Sequence, residues 1–161
     1  MPFTRVTPLD YAAQNNFGGL SLGGSSGEDV AVIAIDDLNL SQLRLLKMDV
    51  EGMELSAVMG AAATIDRCRP VLYIENDRVE KSTALLGQLF NCGYRLWWHT
   101  TPLYSQANFL GNPQNHFGNI HSFNVLGLPS EMTDIQLPLR EIATAEEGTA
   151  HLASAMKGGP L

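Results

Sequence analysis

Residues 45–54 have the sequence LLKMDVEGME, in which an apolar segment ends in acidic residues and passes through a glycine into a helical pattern. A second apolar run, residues 70–74 (PVLYI), is followed in the same way by the polar residues 75–77 (END). Apolar positions at helical spacing between the two runs predict a crossover helix, which would make the two strands parallel neighbours. Because open α/β sheets bind ligands at the carboxyl ends of their parallel strands, we expect Asp49 and Glu75 to meet around one ligand or ion.

A purely structural role is the alternative for these acids. Carboxylates near the N-terminus of a helix are stabilised by the helix dipole, and the acidic segment leads directly into the predicted helix. This interpretation is favoured for Glu54, and it stays open for Asp49 and Glu75.

The composition is that of one globular domain without a nucleic-acid partner. The chain has 161 residues, of which 45% are hydrophobic, and its net charge is -7 with no cluster of Lys and Arg. The sequence shows no apolar stretch long enough to span a bilayer and no signal-peptide pattern, so we expect a cytoplasmic protein with no membrane partner. Cys68 and Cys92 have neither disulfide nor metal-type spacing and are interpreted as free thiols.

The chain divides into three parts by its sequence pattern. Residues 1–29 are rich in Gly, Ser and Asn and are predicted to be irregular, whereas residues 30–128 carry the periodic segments. Residues 129–161 are predicted to form an acidic, weakly structured tail with one weak helix. Within the central part the predicted strands are 30–35, 44–50, 70–74, 94–99 and 121–128, and the predicted helices are 52–68 and 77–92.

The segment LLKMDVEGMEL (45–55), preceded by IDDL (35–38) and followed by RPVLYIE (69–75), resembles the C-terminal half of FkbM-type S-adenosylmethionine-dependent methyltransferases. The similarity extends over residues 16–128. It implies an α/β fold, a partial doubly wound (Rossmann-like) methyltransferase sheet that is mostly parallel. An antiparallel pair, formed by the last two predicted strands of the central part, would lie at one edge of that sheet.

The resemblance also implies that part of the family fold is missing. Strands one to three are absent, and with them the glycine-rich loop and the acidic residue that bind S-adenosylmethionine, so the cofactor-binding residues are unknown and the chain is expected to be a fragment. The fourth strand (45–50) would have an exposed edge, which predicts a homodimer through that edge unless residues 30–35 cover it.

The chemistry implied by the resemblance is methyl transfer to a hydroxyl group of a small molecule or carbohydrate. Such an acceptor needs a base, or a metal ion that lowers its pKa, and Asp49 and Glu51 are the candidate catalytic residues for this role. His99, at a strand end, is a further candidate base or else a structural cap. Asp49, Glu75 and Asn76 are predicted to bind Mg²⁺, in a placement similar to that in catechol-type O-methyltransferases.

The long segment 100–119 combines amide and aromatic side chains, a mixture suited to a polyhydroxylated acceptor. The residues predicted to bind substrate are Trp98, Tyr104, Asn108 and Asn115. The alternative is a self-packed loop whose asparagines satisfy its own backbone turns. For the chain as a whole, the alternative to an enzyme is a catalytically inactive, dimerising fragment that binds no cofactor, and inactivity is the favoured interpretation for the 161 residues alone.

Overall fold

The computed structural model describes residues 3–6, 12, 22 and 27–158, which form a mixed α/β structure. Along the chain the elements are β1 (Phe3–Val6), β2 (Glu28–Ala31), a 3₁₀-helix (Ile35–Leu38), β3 (Leu45–Met48), α1 (Glu54–Met59), α2 (Ala62–Cys68), β4 (Val71–Glu75), α3 (Val79–Asn91), β5 (Tyr94–Pro102), β6 (His121–Pro129), β7 (Arg140–Ile142) and α4 (Ala145–Ala155). None of the helices in these ranges is long and apolar enough to cross a membrane.

The strands form two sheets. β1 and β2 pair with each other in an antiparallel two-stranded sheet, and the remaining strands form a five-stranded sheet in the order β3-β4-β6-β5-β7. Only β3 and β4 are parallel, and the other three pairs are antiparallel. The prediction of a mostly parallel sheet is therefore wrong for the described residues, because a single helical crossover joins neighbouring strands of this sheet.

The predicted antiparallel pair is present, but its surroundings differ from the prediction. β5 and β6 pair over nine residues, β6 lies next to β4, and β7 pairs with the outer side of β5. β7 therefore forms the edge of the sheet. The range 129–161 contributes this strand and α4, so it is more regular than the sequence predicts, and the range 1–29 likewise contributes β1.

The single helix predicted for residues 52–68 is divided into α1 and α2. The cause is Asp36 in the 3₁₀-helix, whose carboxylate accepts hydrogen bonds from the backbone N–H groups of Ala63 (3.0 Å) and Thr64 (2.8 Å). The backbone N–H of Asp36 donates to the carbonyl of Gly60 (2.9 Å). A carboxylate that is distant in sequence thus caps α2, since the first N–H groups of a helix have no partner within the helix.

The core lies between one face of the five-stranded sheet and the helices. Inward-facing side chains alternate along each strand, as the two-residue period of a strand requires; they include Met48, Leu72, Ile74, Leu96, Trp98 and Val125, which pack with Leu86 and Leu89 of α3 and Leu152 of α4. The opposite face, here called the site face, carries the residues between them, namely Lys47, Tyr73, Glu75, Asn124 and His99.

Candidate functional site

The turn between β3 and α1 has an unusual backbone conformation. Glu51 and Gly52 have φ angles of 53° and 90°, in the left-handed region that favours glycine. The buried carboxylate of Glu54 holds this turn, because its Oε1 accepts hydrogen bonds from the backbone N–H groups of Val50 (3.2 Å) and Gly52 (3.0 Å). Glu54 thus has a structural role. Asp49 and Glu51 are the two acids of this turn whose carboxylates do not hold its backbone.

Asp49, Glu51 and Glu75 form an acidic cluster at the carboxyl ends of β3 and β4. One carboxylate oxygen of each residue lies within 4.8 Å of those of the other two. The strands bring them together because β3 and β4 are parallel neighbours with Met48 opposite Ile74, so the residues that follow this pair, Asp49 and Glu75, lie at the same edge. Asp49 is exposed, whereas Glu51 and Glu75 are half-buried.

Two members of the acidic cluster have cationic partners and one does not. Lys47 Nζ lies 3.2 Å from Asp49 Oδ2, and Arg78 Nη2 lies 3.0 Å from Glu51 Oε2. The Glu75 carboxylate has no hydrogen-bond or ion-pair partner in the part of the chain that the structure describes. Glu75 is therefore the acid whose charge is least compensated.

This environment changes the acidity of Glu75. Burial raises the pKa of Glu75 to about 7, and the negative charges of Asp77, Asp49 and Glu51 act in the same direction. A carboxyl group with a pKa near neutrality exchanges a proton readily at physiological pH, which is the property of a general acid or base. The sequence identified Glu75 only as a metal ligand, because burial and the absence of a counter-charge depend on the tertiary structure.

Asn76, the third predicted metal ligand, lies away from the acidic cluster. It is buried, its side-chain nitrogen donates a hydrogen bond to Ser82 Oγ in α3 (2.9 Å), and its backbone N–H donates to the carbonyl of Phe123 (2.9 Å). Successive residues of a strand point to opposite faces, so Asn76 faces α3 while Glu75 belongs to the site face. The third side chain beside Asp49 and Glu75 is that of Glu51.

His99 lies on the same face of the sheet as Glu75, two strands away. Both residues are opposite Asn124 in the strand register, which places them at one level of the sheet. His99 Nδ1 is 2.7 Å from Tyr73 Oη. The sequence analysis did not identify Tyr73, although its position two residues before Glu75 in the same strand places both side chains on one face.

The predicted substrate-binding residue Trp98 lies in the core. Its side chain is 4% exposed and its ring centroid is 5.7 Å from that of His151 in α4, on the face of the sheet opposite to the acidic cluster. Trp97 is on the site face and is also buried. The structure therefore does not bring Trp98 together with the other predicted site residues.

The other three predicted substrate-binding residues lie in the loop between β5 and β6, and their polar groups make hydrogen bonds within it. Tyr104 Oη donates to the carbonyl of Asn112 (3.1 Å). The side-chain nitrogen of Asn108 also donates to that carbonyl (2.8 Å), and that of Asn115 donates to the carbonyl of Gly118 (2.8 Å). These are the contacts of the self-packed loop that the sequence left as an alternative.

The acidic cluster offers three carboxylate oxygens that are candidate ligands of one metal ion. Ligand oxygens of one Mg²⁺ lie about 3.0 to 4.2 Å apart, since each metal–oxygen bond is about 2.1 Å, so oxygens within 4.8 Å of one another must move closer together to bind the ion. The described residues do not fit S-adenosylmethionine in the same way. In ranges 3–6 and 27–158 no glycine-rich loop joins a strand to a helix, which is the usual cradle of such cofactors.

Most of the chain, including the acidic cluster, is similar to one known protein family. Residues 5–96, more than half of the 161-residue chain, match the family described as the methyltransferase FkbM domain. The matched range contains β3, β4 and the whole acidic cluster, and it ends within β5 before His99. No curated protein and no solved structure matches the chain. The family match confirms the resemblance seen in the sequence, and the chain belongs to the FkbM methyltransferase domain family.

Proposed function

We propose that this chain is the acceptor-side part of an S-adenosylmethionine-dependent O-methyltransferase that acts on a hydroxyl group of a small molecule or carbohydrate. Membership of the family supports methyl transfer. The proposal that the acceptor is a hydroxyl group rests on Glu75. This half-buried carboxyl group has a pKa of about 7, lies beside two other acids and has no partner in the described residues.

In the proposed reaction Glu75 acts as the general base. The Glu75 carboxylate would take the proton of the acceptor hydroxyl group as the oxygen of that group accepts the methyl group. S-adenosylmethionine would supply this electrophilic methyl group, with its sulfur as the leaving group. Asp49 and Glu51 accept hydrogen bonds from neighbouring hydroxyl groups of the acceptor, which suits a polyhydroxylated molecule because ionised carboxylates only accept.

We propose a second way in which the acidic cluster could activate the acceptor: it binds Mg²⁺, and the ion, instead of Glu75 as a base, lowers the pKa of the acceptor hydroxyl group. Asp49, Glu51 and Glu75 would hold the ion, with Glu51 in the place that the sequence gave to Asn76, because hard cations prefer carboxylate oxygens. A bound cation would also offset the mutual repulsion of the three acids. We expect MgCl₂ at pH 8 to raise the urea midpoint of unfolding of the wild type, and to have no such effect on an Asp49→Asn, Glu75→Gln variant.

A second proposal, a non-catalytic protein that associates with itself, is favoured by the exposed edge of β3. β3 is a terminal strand of the five-stranded sheet, and no other described strand pairs with its outer edge. β2 does not pair with this edge, since it belongs with β1 to the separate two-stranded sheet. Leu45 in β3 is 57% exposed. An unpaired apolar strand edge is a template for pairing with another chain.

The test of the enzymatic proposal is cofactor titration followed by a methyl-transfer assay. Catalysis by this chain requires calorimetric binding of S-adenosylmethionine to the full chain, and transfer of its labelled methyl group to one or more methyl glycosides. The Glu75→Gln variant should lose roughly 10²- to 10⁴-fold in turnover, the usual contribution of a general base. The Glu146→Gln variant, changed at an exposed residue of α4, is the matched control.

Two results would contradict this proposal in different ways. No heat of binding with S-adenosylmethionine would favour the non-catalytic alternative. Full turnover in the Glu75→Gln variant would show that another group takes the proton.

A further inference from the structure

A phenol–imidazole pair lies on the site face beside the acidic cluster. Tyr73 Oη is 2.7 Å from His99 Nδ1, and the two rings are tilted by 59° with their centroids 5.7 Å apart. The contact joins β4 to β5 across the intervening strand β6, where Leu126 is opposite Tyr73. Nothing in the sequence predicted this contact, because it depends on the order of the strands.

The groups around this hydrogen bond favour one direction for it. Tyr73 Oη has one hydrogen, and His99 Nδ1 is its hydrogen-bond partner in the described part of the chain. A tyrosine phenol keeps its hydrogen at neutral pH, because its ordinary pKa is about 10. If the phenol donates, both atoms are paired; if the imidazole donates, the phenol hydrogen has no acceptor among these residues.

A neutral imidazole that accepts a hydrogen bond at Nδ1 carries its hydrogen on Nε2. We propose that Tyr73 positions His99 as a hydrogen-bond donor, and that the Nε2–H of His99 binds an oxygen atom of the acceptor beside the hydroxyl group that is methylated. This inference rests on the proposed function, and it replaces the role of base for His99, because a base needs a free lone pair on the nitrogen that meets the substrate.

The placement of His99 relative to Glu75 fits a binding residue. Both are opposite Asn124, on the two strands that flank β6, so their backbones are about 10 Å apart at a strand spacing of about 4.8 Å. A monosaccharide with its substituents spans such a distance, with one hydroxyl at Glu75 and another oxygen at His99. The acidic cluster repels anions, so the oxygen that His99 binds belongs to a neutral hydroxyl group or ring.

The first test measures the tautomer of His99 directly in the wild-type chain. With ¹⁵N-labelled histidine at a pH where the imidazole is neutral, we expect an unprotonated Nδ1 and a protonated Nε2, with the His99 signals assigned by their loss in a His99→Gln variant. The hydroxyl proton of Tyr73 should correlate with His99 Nδ1 across the hydrogen bond. A hydrogen found on Nδ1 would overturn the proposal without the use of any variant of Tyr73.

The Tyr73→Phe variant tests whether Tyr73 is the positioning residue. Phenylalanine keeps the ring and removes the donor, so we expect the two nitrogen signals of His99 to move towards each other as both tautomers become populated. The amide spectrum away from His99 should not change. Nitrogen signals of His99 that match those of the wild type would contradict a role for Tyr73.

Kinetic measurements separate a donor from a base at His99. In the methyl-transfer assay we expect His99→Ala to raise KM roughly 3- to 10-fold, the effect of one hydrogen bond, and His99→Gln, which retains an N–H donor, to recover part of that loss. Equal loss of kcat in both variants would overturn the proposal. Absence of turnover in the wild type would contradict the proposed function, while the tautomer of His99 would still decide the role of Tyr73.

Discussion

At the scale of single residues, Glu54 decides whether the turn that presents the acidic cluster keeps its shape. Its Oε1 is the acceptor for two backbone N–H groups, those of Val50 and Gly52. Glu54→Ala leaves both donors without that acceptor, and because the turn is only half-buried we expect the free energy of unfolding to fall by about 2 kcal/mol. Glu54→Gln keeps an acceptor oxygen and should lose less than half of that amount.

Urea denaturation measures this effect, and Asp66→Ala is the matched control. Asp66 is an exposed acid on α2, so its removal should change the free energy of unfolding by no more than about 0.5 kcal/mol. If Glu54→Ala were as stable as Asp66→Ala, the carboxylate of Glu54 would not be holding the turn.

The raised pKa of Glu75 predicts a pH dependence of stability. The pKa of this carboxyl group is 4.5 without the influence of the fold and about 7 in the folded chain. Between these pH values the folded state binds more protons than the unfolded state, so the contribution of Glu75 to stability falls as the pH rises. The destabilisation caused by ionising Glu75 in the folded chain, here called the penalty, is absent below pH 4.5 and complete above pH 7.

Glu75→Gln removes this penalty, because the amide does not ionise. We expect the variant to be more stable than the wild type by about 1 to 2 kcal/mol at pH 8, an amount reduced for solvent screening of a half-buried group, and equally stable at pH 4. Urea denaturation at both pH values checks this. A difference of the same size at both pH values would mean that packing, and not charge, distinguishes the two side chains.

The sequence predicted part of the acidic cluster at this scale. Asp49 and Glu75 follow two strands joined by a crossover, and parallel strands necessarily end at the same edge. The choice between Glu51 and Asn76 as the third member depends on the left-handed turn at Glu51 and on the hydrogen bond from Asn76 to Ser82. Neither of these follows from spacing along the chain.

At the scale of elements, the contact of α4 with the core can be tested at its glycine. A Cβ atom added at Gly148 would lie 2.6 Å from Cδ1 of Leu86 and 2.8 Å from Cγ2 of Ile142, and both of these side chains are buried. We expect Gly148→Ala to lower the free energy of unfolding by about 1 to 3 kcal/mol, because an overpacked core strains its neighbours.

Gly87→Ala is the matched control for this prediction. Gly87 lies in α3, and a Cβ atom added there has no neighbour within 4 Å, so alanine should raise the free energy of unfolding by up to about 1 kcal/mol through its higher helix propensity. Thermal or urea denaturation of both variants decides the matter. Stabilisation by Gly148→Ala would show that α4 does not pack closely on α3 and β7.

The elements of the central part were predictable where a hydrophobic period continues long enough. The sequence predicted β4, α3, β5 and β6 near their observed positions, since each has a clear period and a proline or glycine near one end. β7 has three residues, too few for a period, and it forms only because the outer side of β5 accepts another strand. Pairing of this kind is a tertiary effect.

At the scale of the whole molecule, strand order is what the sequence left undetermined. Family resemblance implied a mostly parallel sheet, but the described strands have one parallel pair because β6 returns between β4 and β5. That same order brings Tyr73 and His99 into contact and leaves β3 at the end of the sheet. The exposed edge of β3 was expected from the sequence, and its consequence for association is still a prediction.

We predict that the chain forms a twofold dimer through β3. Lys47, a charge that would normally discourage pairing of an edge strand, is offset by Asp49 at 3.2 Å, and Leu45 is exposed beside it. Sedimentation should give about twice the mass of the 17.5 kDa chain, and Leu45→Lys should give the monomer, because two like charges would then meet across the twofold axis.

The control is Phe109→Ser, which removes a fully exposed apolar side chain from the loop between β5 and β6 and should leave the dimer intact. If Phe109→Ser dissociated the dimer and Leu45→Lys did not, the interface would lie at that loop and not at the strand edge. A monomeric wild type would contradict association altogether.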